Sequence, residues 1–336
     1  MQTVAKSSDS PPTARIAVIV PAYGVAHLAG EALASLQRQT LTDWECAVID
    51  DGAPDDVAGA VAPFLADPRI RLLQTANHGV SAARNTAIRA TRAPLVALLD
   101  GDDLLRPDYL ARMAAELDRS ESLELVTCNA RVFGAVPHES LVVPAGIGSP
   151  EEGGACDVIG GRSKIYIGSM FRRTGWERIG GFDEAMTHSE DLDFWVRLLL
   201  GGGRFRFVNE VLGDYRVRGN SASIDSLALI RGRMRLMRKI IATKPDTPEA
   251  ALAARGLAAE QRAEQVEEAI ARTLAGDAAG LPRLLAVRHR FKGPVWSLSF
   301  ALWRLAPWLA RPMLAWRRKR HIHSIASNRS PAGAGR

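Results

Sequence analysis

Between Arg15 and Leu99, short β-branched runs alternate with stretches of helical periodicity, and no other feature of the chain narrows its choice of fold as much. Such alternation is the mark of βαβ units and a largely parallel sheet. Ile16 to Val20 reads as a buried strand ending at Pro21, and residues 25–38 place Leu28, Leu33 and Leu36 near one helical face. Further strands are expected at Glu45 to Ile49, Ile70 to Leu73 and Leu95 to Leu99, with helices at about Asp55 to Leu65 and at Val80 to Ala90. Pro107 is expected to be the first residue of the next helix.

In open α/β sheets, ligands bind beyond the carboxyl ends of the strands. The segments placed there are Pro21 to Gly24, Asp50 to Gly52, Gln74 to Ser81 and Asp100 to Asp103, three of them rich in Asp, Gly or Asn. Carboxylates gathered at one sheet edge repel one another and call for cations or hydrogen-bond donors. Mg²⁺ or Mn²⁺, with oxygen ligands from one or two carboxylates and from nucleotide phosphates, is the natural counter-ion. Each acidic motif alone reads equally well as a solvated loop capping the following helix. The Asn77 to Asn85 segment is a Gly-containing loop opening a helix, so its backbone N–H groups and Arg84 suit a phosphate. Alternatively, Gly79 only turns the chain and Arg84 only pairs with a carboxylate.

These segments together resemble the inverting nucleotide-sugar-dependent glycosyltransferases of family 2. The matching runs are Val18-Ile-Val-Pro-Ala-Tyr23, Val48-Ile-Asp-Asp-Gly52, His78-Gly-Val-Ser-Ala-Ala-Arg-Asn85, Leu98-Leu-Asp-Gly-Asp-Asp103 and Ser189-Glu-Asp191, in family order across about residues 14–220. The resemblance implies the α/β GT-A fold: a Rossmann-like nucleotide-binding mixed sheet flanked by helices. It also implies that Pro21, Ala22, Tyr23, Asp50, Asp51, Gly79, Arg84 and Asp100 form the nucleotide site, with Tyr23 against the base and Asp51 hydrogen-bonded to it. Asp100 and Asp102 match the family's DxD, which binds Mg²⁺ or Mn²⁺. Asp191 matches the catalytic base, supported by Glu190; in isolation the pair would read as acids placed on a helix dipole. The implied partners are a UDP- or dTDP-linked sugar donor and a glycan or lipid-linked acceptor. Arg218 departs from the pattern, standing where the family commonly has a His that is sometimes a metal ligand. Arginine has no lone pair for a metal, so Arg218 is expected to meet the diphosphate.

The expected organisation is a disordered lead at 1–14 and a GT-A domain at 15–225, divided into a nucleotide half (15–119) and an acceptor half (120–225). A C-terminal helical extension at 226–280, broken near Lys244 to Pro248, and a basic tail at 281–336 complete it. Within the acceptor half, Val136 to Gly161 reads as a surface loop that lines the acceptor site with Gly168 to Arg173, and Asp191 to Leu200 reads as a helix.

Charge divides the chain in the same way. The 336 residues carry a net +6, yet 281–336 alone holds twelve Lys or Arg and no Asp or Glu. The first 280 residues, with 31 basic and 37 acidic side chains, are therefore net acidic. The tail also holds Trp296, Trp303, Trp308 and Trp316, with Trp296, Phe300 and Trp303 on one helical face and breaks expected at Pro307 and Pro312. Aromatic anchors and basic residues without acids suit the interface of an anionic membrane, through about 281–320. A helix packed on the body is the alternative.

No run reaches the roughly 18 apolar residues of a spanning helix, the N-terminus lacks an apolar signal core, and Cys46, Cys128 and Cys156 form no CxxC pair. The expected place is the cytoplasm, peripheral on the inner membrane face. A nucleic-acid ligand would suit Arg317 to Arg320 but neither the tryptophans nor the acidic body, and none is expected. Dinucleotide oxidoreduction is disfavoured because no GxGxxG follows the first strand. A catalytically silent sugar-nucleotide sensor would keep the nucleotide site without needing Asp191.

Overall fold

The computed structural model describes residues 14–144, 150–219 and 225–322, with side chains described as far as Trp316. The expected lead lies outside the described residues except for Ala14, as do the last fourteen residues. The first strand, β1 (Ile16–Ala22), is buried along almost its whole length, as a strand covered by helices on both faces must be. It is followed by α1 (Ala26–Gln37), β2 (Trp44–Asp51), α2 (Val57–Val61), a 3₁₀ turn (Ala62–Phe64), β3 (Ile70–Thr75), α3 (Val80–Ala90) and β4 (Leu95–Leu98). These β2, β1 and β4 strands pair in parallel, and β3 pairs in parallel with β2. β1 continues through Pro21 rather than ending there. The β4 ladder stops at the Ile19↔Leu98 pair, so beyond it only β2 flanks β1 and proline's missing N–H is tolerated.

Next come β5 (Leu104–Leu105), α4 (Tyr109–Asp118), β6 (Leu123–Gly134), β7 (Ser140–Leu141), β8 (Glu152–Gly153), α5 (Ala155–Ile159), β9 (Met170–Arg172), α6 (Arg173–Ile179), α7 (Glu190–Leu199) and β10 (Arg204–Val217). Pro107 therefore precedes α4 by two residues instead of opening it; the Tyr109 N–H donates to the Arg106 carbonyl in a turn first. The Val136 to Gly161 stretch is more ordered than a loop, since β7, β8 and α5 fall within it, while 145–149 lie outside the described residues. The sheet order is β3-β2-β1-β4-β9-β6-β10-β5, with β7 on β6 and β8 on β10. β9 runs antiparallel to both β4 and β6, which makes the sheet mixed and joins the two halves.

The helices α8 (Ser226–Thr243), α9 (Pro248–Ala275), α10 (Gly280–Ala286), α11 (Pro294–Leu305) and α12 (Ala310–Ile322) end the described chain. The break between α8 and α9 falls at the expected place, and Pro248 takes the first position of α9 behind the Thr247 cap. α8 is part of the body: Leu236, Met237 and Ile240 are buried in the same cluster as Phe171, Phe194 and Trp195. Its Gly232 allows this approach, because a Cβ there would meet the His188 carbonyl oxygen at 2.3 Å. Lys239 Nζ reaches Asp183 at 2.5 Å and the fully buried Asp193 at 2.7 Å, while Arg197 Nε holds the other Asp193 oxygen at 2.7 Å.

Pro307 ends α11 as expected, but Pro312 does not break the chain, because it falls in the first turn of α12, where no N–H bond is lost. Trp303 and Phe300 are buried on the α9 side with Leu284, Ala310 and Leu314. The aromatic face expected to meet a membrane is thus packed inside the protein. Among the described residues no helix is long and apolar enough to cross a membrane.

Removing one partner of a buried ion pair strands the other charge. Lys239→Met should lower unfolding free energy by about 2–3 kcal/mol, less than the ~3–5 kcal/mol for a fully orphaned charge because Arg197 remains on Asp193. Urea denaturation of the two proteins measures it.

Candidate active site

The carboxyl ends of β1, β2 and β4 and the N-terminal turns of α3 and α7 open onto one cleft of about 730 Å³. Pro21, Ala22, Tyr23, Asp51, Gly79, Arg84, Asp100, Asp102, Glu190, Asp191 and Arg218 all line it. Asp50 is the exception. It points away from the cleft, accepting from the Ala53 N–H at 2.9 Å and from Gln74 Nε2 at 3.2 Å, and so serves the turn after β2.

Asp51 is 4% exposed, and its two oxygens accept from Thr75 Oγ1 (3.1 Å), the His78 N–H (3.1 Å) and the Gly79 N–H (2.8 Å). A single carboxylate thereby ties the end of β3 and the entry to α3 onto β2. Tyr23 stands 52% exposed beside it, an apolar ring at the cleft wall. Asp55 fixes the neighbouring turn by accepting from the Gly24 and Ala26 N–H groups at 3.1 and 2.7 Å.

Arg84, in the first turns of α3, lies buried at the cleft floor. Nη2 donates to Asp100 Oδ1 and Nη1 to Glu190 Oε1, both at 2.9 Å. Burial opposes the guanidinium charge, but Asp100 and Glu190 outweigh it and hold the group protonated above its ordinary range. Its Nε is buried without a protein partner among the described residues. Both Nη groups are thus already committed to carboxylates at the place where a phosphate contact was expected.

Asp100 to Asp103 take three different environments. Gly101 lets the loop lie against β1: its N–H donates to the Pro21 carbonyl at 3.2 Å, and a Cβ would come within 3.0 Å of that oxygen. Asp103 is 2% exposed and accepts from the Arg216 N–H at 2.8 Å and Tyr166 Oη at 3.3 Å, so it clamps β10 beneath the cleft. Its pKa is pushed well up by burial, then by the charges of Asp100 and Asp102. Asp102 Oδ2 accepts from Arg218 Nε at 2.5 Å. Burial and then the Asp100 charge raise the Asp102 pKa, while Arg218 pulls it down.

At the far wall, Ser189 adopts a left-handed conformation (φ 57°), which turns the chain into α7. Glu190 and Asp191 occupy the first turn of that helix, a favourable place for negative charge. Burial first, and then the Glu190 charge, raise the Asp191 pKa to about 6, with Arg84 opposing. Ile167, His188 and Leu229, which sequence reasoning did not single out, also line the cleft, as do Tyr215 and Arg216 of the segment that carries Arg218. Leu229 belongs to α8, and only the packing of that helix on residues 188–189 brings it there.

Among the described residues, no group of three or more His, Cys, Asp or Glu side chains is placed to hold a metal. Asp100 and Asp102 supply the two-carboxylate set that a divalent cation accepts when phosphates provide its other ligands. Each has one oxygen on an arginine, and the mutual repulsion that raises Asp102 is what a cation would relieve. The donor set therefore fits Mg²⁺ or Mn²⁺ shared with a diphosphate.

Because Arg84 is the cation that lowers the Asp191 pKa, Arg84→Met should raise it above about 6. Carboxylate NMR titration of ¹³C-labelled protein reads this directly; an unmoved Asp191 titration would show that Arg84 does not act on it.

Residues 17–141 match the family described as glycosyl transferase family 2. Chondroitin synthase of Escherichia coli is 27% identical over 219 residues, covering 63% of this chain and 30% of that protein. The chain spans about a third or less of the length of the curated relatives it matches. S. aureus TarS 1-349 in complex with UDP-GlcNAc superimposes with a TM-score of 0.60 at 18% identity, over 93% of this chain and 89% of that one. The mannosyltransferase PcManGT from Pyrobaculum calidifontis, in complex with GDP-Man and Mn²⁺, gives 0.58 at 19%, over 96% and 89%. At such identities the likeness establishes the fold, which is GT-A with C-terminal helices. Residues 17–141 thus carry the likeness to glycosyl transferase family 2, and the fold built on them is the GT-A fold which that resemblance implies.

Proposed function

We propose that the chain transfers a sugar from a nucleoside-diphosphate sugar to an acceptor hydroxyl with inversion, in the synthesis of a cell-envelope or exopolysaccharide glycan. The observation that carries this is the Arg84 fork, which joins the DxD end of β4 to the first turn of α7 across one cleft. It ties the Asp100 loop to the helix start that carries Asp191, a carboxylate with a raised pKa lining the same cleft. The relatives support the substrate class: they include a chondroitin synthase, and the solved structures hold UDP-GlcNAc and GDP-Man. We take the donor as UDP- or dTDP-linked and the acceptor as a glycan or lipid-linked sugar.

In this reading Tyr23 and Asp51 hold the base, Gly79 and Asp100 the ribose and phosphates, and Asp102 with Asp100 a divalent cation. The Mn²⁺ in the mannosyltransferase structure supports that choice. When bound, the cation would neutralise charge on the diphosphate leaving group. Arg218, now on Asp102, would share that task by turning to a phosphate. Residues 15–119 form the nucleotide half and 120–225 the acceptor half, with α8 closing the latter.

The acceptor oxygen forms a bond to the anomeric carbon as the bond to the diphosphate oxygen breaks, and the hydroxyl proton passes to an Asp191 oxygen. A carboxylate with a pKa of about 6 is ionised at neutral pH and a stronger base than an unperturbed one. Glu190, held by Arg84, keeps the helix start in place. The basic segment at 281–320 would keep the enzyme peripheral on the cytoplasmic face of the membrane, beside an envelope acceptor.

Asp191→Asn should lower transfer by about 10²–10⁴-fold while donor binding persists. Donor binding with no turnover above background in either protein would instead favour a catalytically silent sensor, and equal turnover in both would remove Asp191 as the base. For the wild type, kcat/KM should fall as pH drops through about 6, where Asp191 takes up its proton and can no longer accept one. Asp102→Ala, or excess chelator, should remove nearly all transfer; undiminished turnover in either would refute a cation held by the DxD pair.

A further inference from the structure

The four aromatic anchors of the C-terminal segment part company in the tertiary structure. Trp303 is 1% exposed and packs with Phe300 on α9, α10 and α12, whereas Trp308 is 73% exposed. With that face of α11 turned inward, the residues it sends outward are Val295, Leu298, Leu302 and Leu305, at 62, 70, 39 and 84% exposure. Their spacing of three, four and three puts them within about 80° of arc at 100° per residue. A continuous exposed stripe of four branched aliphatic side chains, extended by a tryptophan one turn on, is not a solvated face.

We propose that this outward stripe of α11, together with Trp308, docks on an anionic lipid bilayer. The inference rests on the membrane address proposed above for 281–320 and assigns it to a face other than the aromatic one. Charge complementarity selects the occupant. Lys292, just before α11, and Arg304 on its polar flank beside Ser297 are exposed, and Arg288 and Arg311 add to the same sign. Residues 281–336 contain no Asp or Glu to repel an anionic surface. Among the described residues, no basic side chain of 281–316 pairs with a carboxylate. Three acids of α9 are occupied by α8: Glu264 and Glu268 by Arg231, and Glu260 by Arg233. Apolar side chains that enter the acyl boundary, with arginines and lysine free to meet headgroups, are the two components of interfacial binding. The buried face of α11 supplies rigidity: its packing on α9 presents the stripe without first having to fold it on the membrane.

The test is cosedimentation of the full chain with vesicles of phosphatidylcholine, with and without phosphatidylglycerol, alongside donor hydrolysis in vesicle-free buffer. Wild-type protein should pellet with the anionic vesicles and remain largely in solution with the neutral ones. The exposed-site variant Leu298→Asp/Leu305→Asp should lose about tenfold or more in bound fraction, with thermal stability and donor hydrolysis unchanged. A charge variant, Arg304→Glu/Arg311→Glu, should weaken binding to the anionic vesicles and have little effect on the neutral ones. The proposal is overturned if wild type stays in solution with both vesicles, if it binds both equally, or if the Leu variant pellets like wild type. It is equally overturned if wild type is a dimer that the Leu variant dissociates while vesicle binding is absent, since the stripe would then join two copies of the chain. Loss of donor hydrolysis bears on the proposed function alone, and loss of vesicle binding on this surface alone.

Discussion

The site depends on one buried guanidinium. Arg84 binds Asp100, just past the end of β4, and Glu190, at the start of α7, two residues 90 apart in the chain. The buried guanidinium would be costly alone, and the two part-buried carboxylates supply its counter-charge. Their geometry fixes how far the DxD end of the sheet lies from Asp191, and hence the width of the space between them.

That arrangement also distributes the acidic residues by task. Of the Asp100 to Asp103 run, Asp100 answers to Arg84, Asp102 to Arg218, and Asp103 turns inward to hold the β10 backbone and Tyr166. Asp51 and Asp50 diverge in the same manner, the first buried in the cleft wall and the second bracing a turn. Adjacent residues on a strand point to opposite faces, so paired acids at a strand end are sorted automatically into one that faces the cleft and one that supports it. Among the described residues Asp191 has no cation of its own at contact distance, and burial beside Glu190 raises its pKa.

The C-terminal helices illustrate the limits of a helical-face argument. Trp296, Phe300 and Trp303 do share a face, as their spacing requires, but spacing is silent on what covers it. Ala269 of α9, Leu284 of α10 and Ala310 and Leu314 of α12 cover it. Packing that face leaves the aliphatic one outside. The α8 helix presents the same lesson within the body: Gly232 and Lys239 draw it against residues 183–193, and so it contributes Leu229 to the cleft.

Much of this was legible in the sequence. The period of the hydrophobic pattern placed the strands and helices of the first half within a few residues, since local burial on both faces leaves β-branched runs no other use. The Asp- and Gly-rich strand ends located the cleft, because a parallel sheet brings all carboxyl ends to one edge. What no local pattern could carry was partnership: that Arg84 is committed to two acids, that Asp103 is a strut, that Asp50 faces away, and that Arg218 sits on Asp102. Each of those contacts spans 16 to 116 residues or depends on the side to which a strand turns its last residue. Sequence by itself determined the α/β layering, the acidic cleft and the uneven charge of the chain, all consequences of composition and short-range periodicity. Tertiary structure alone decided which charges pair and which face of the last helices meets solvent, because both follow from what is packed opposite, and a residue's own neighbours in the chain do not contain that information.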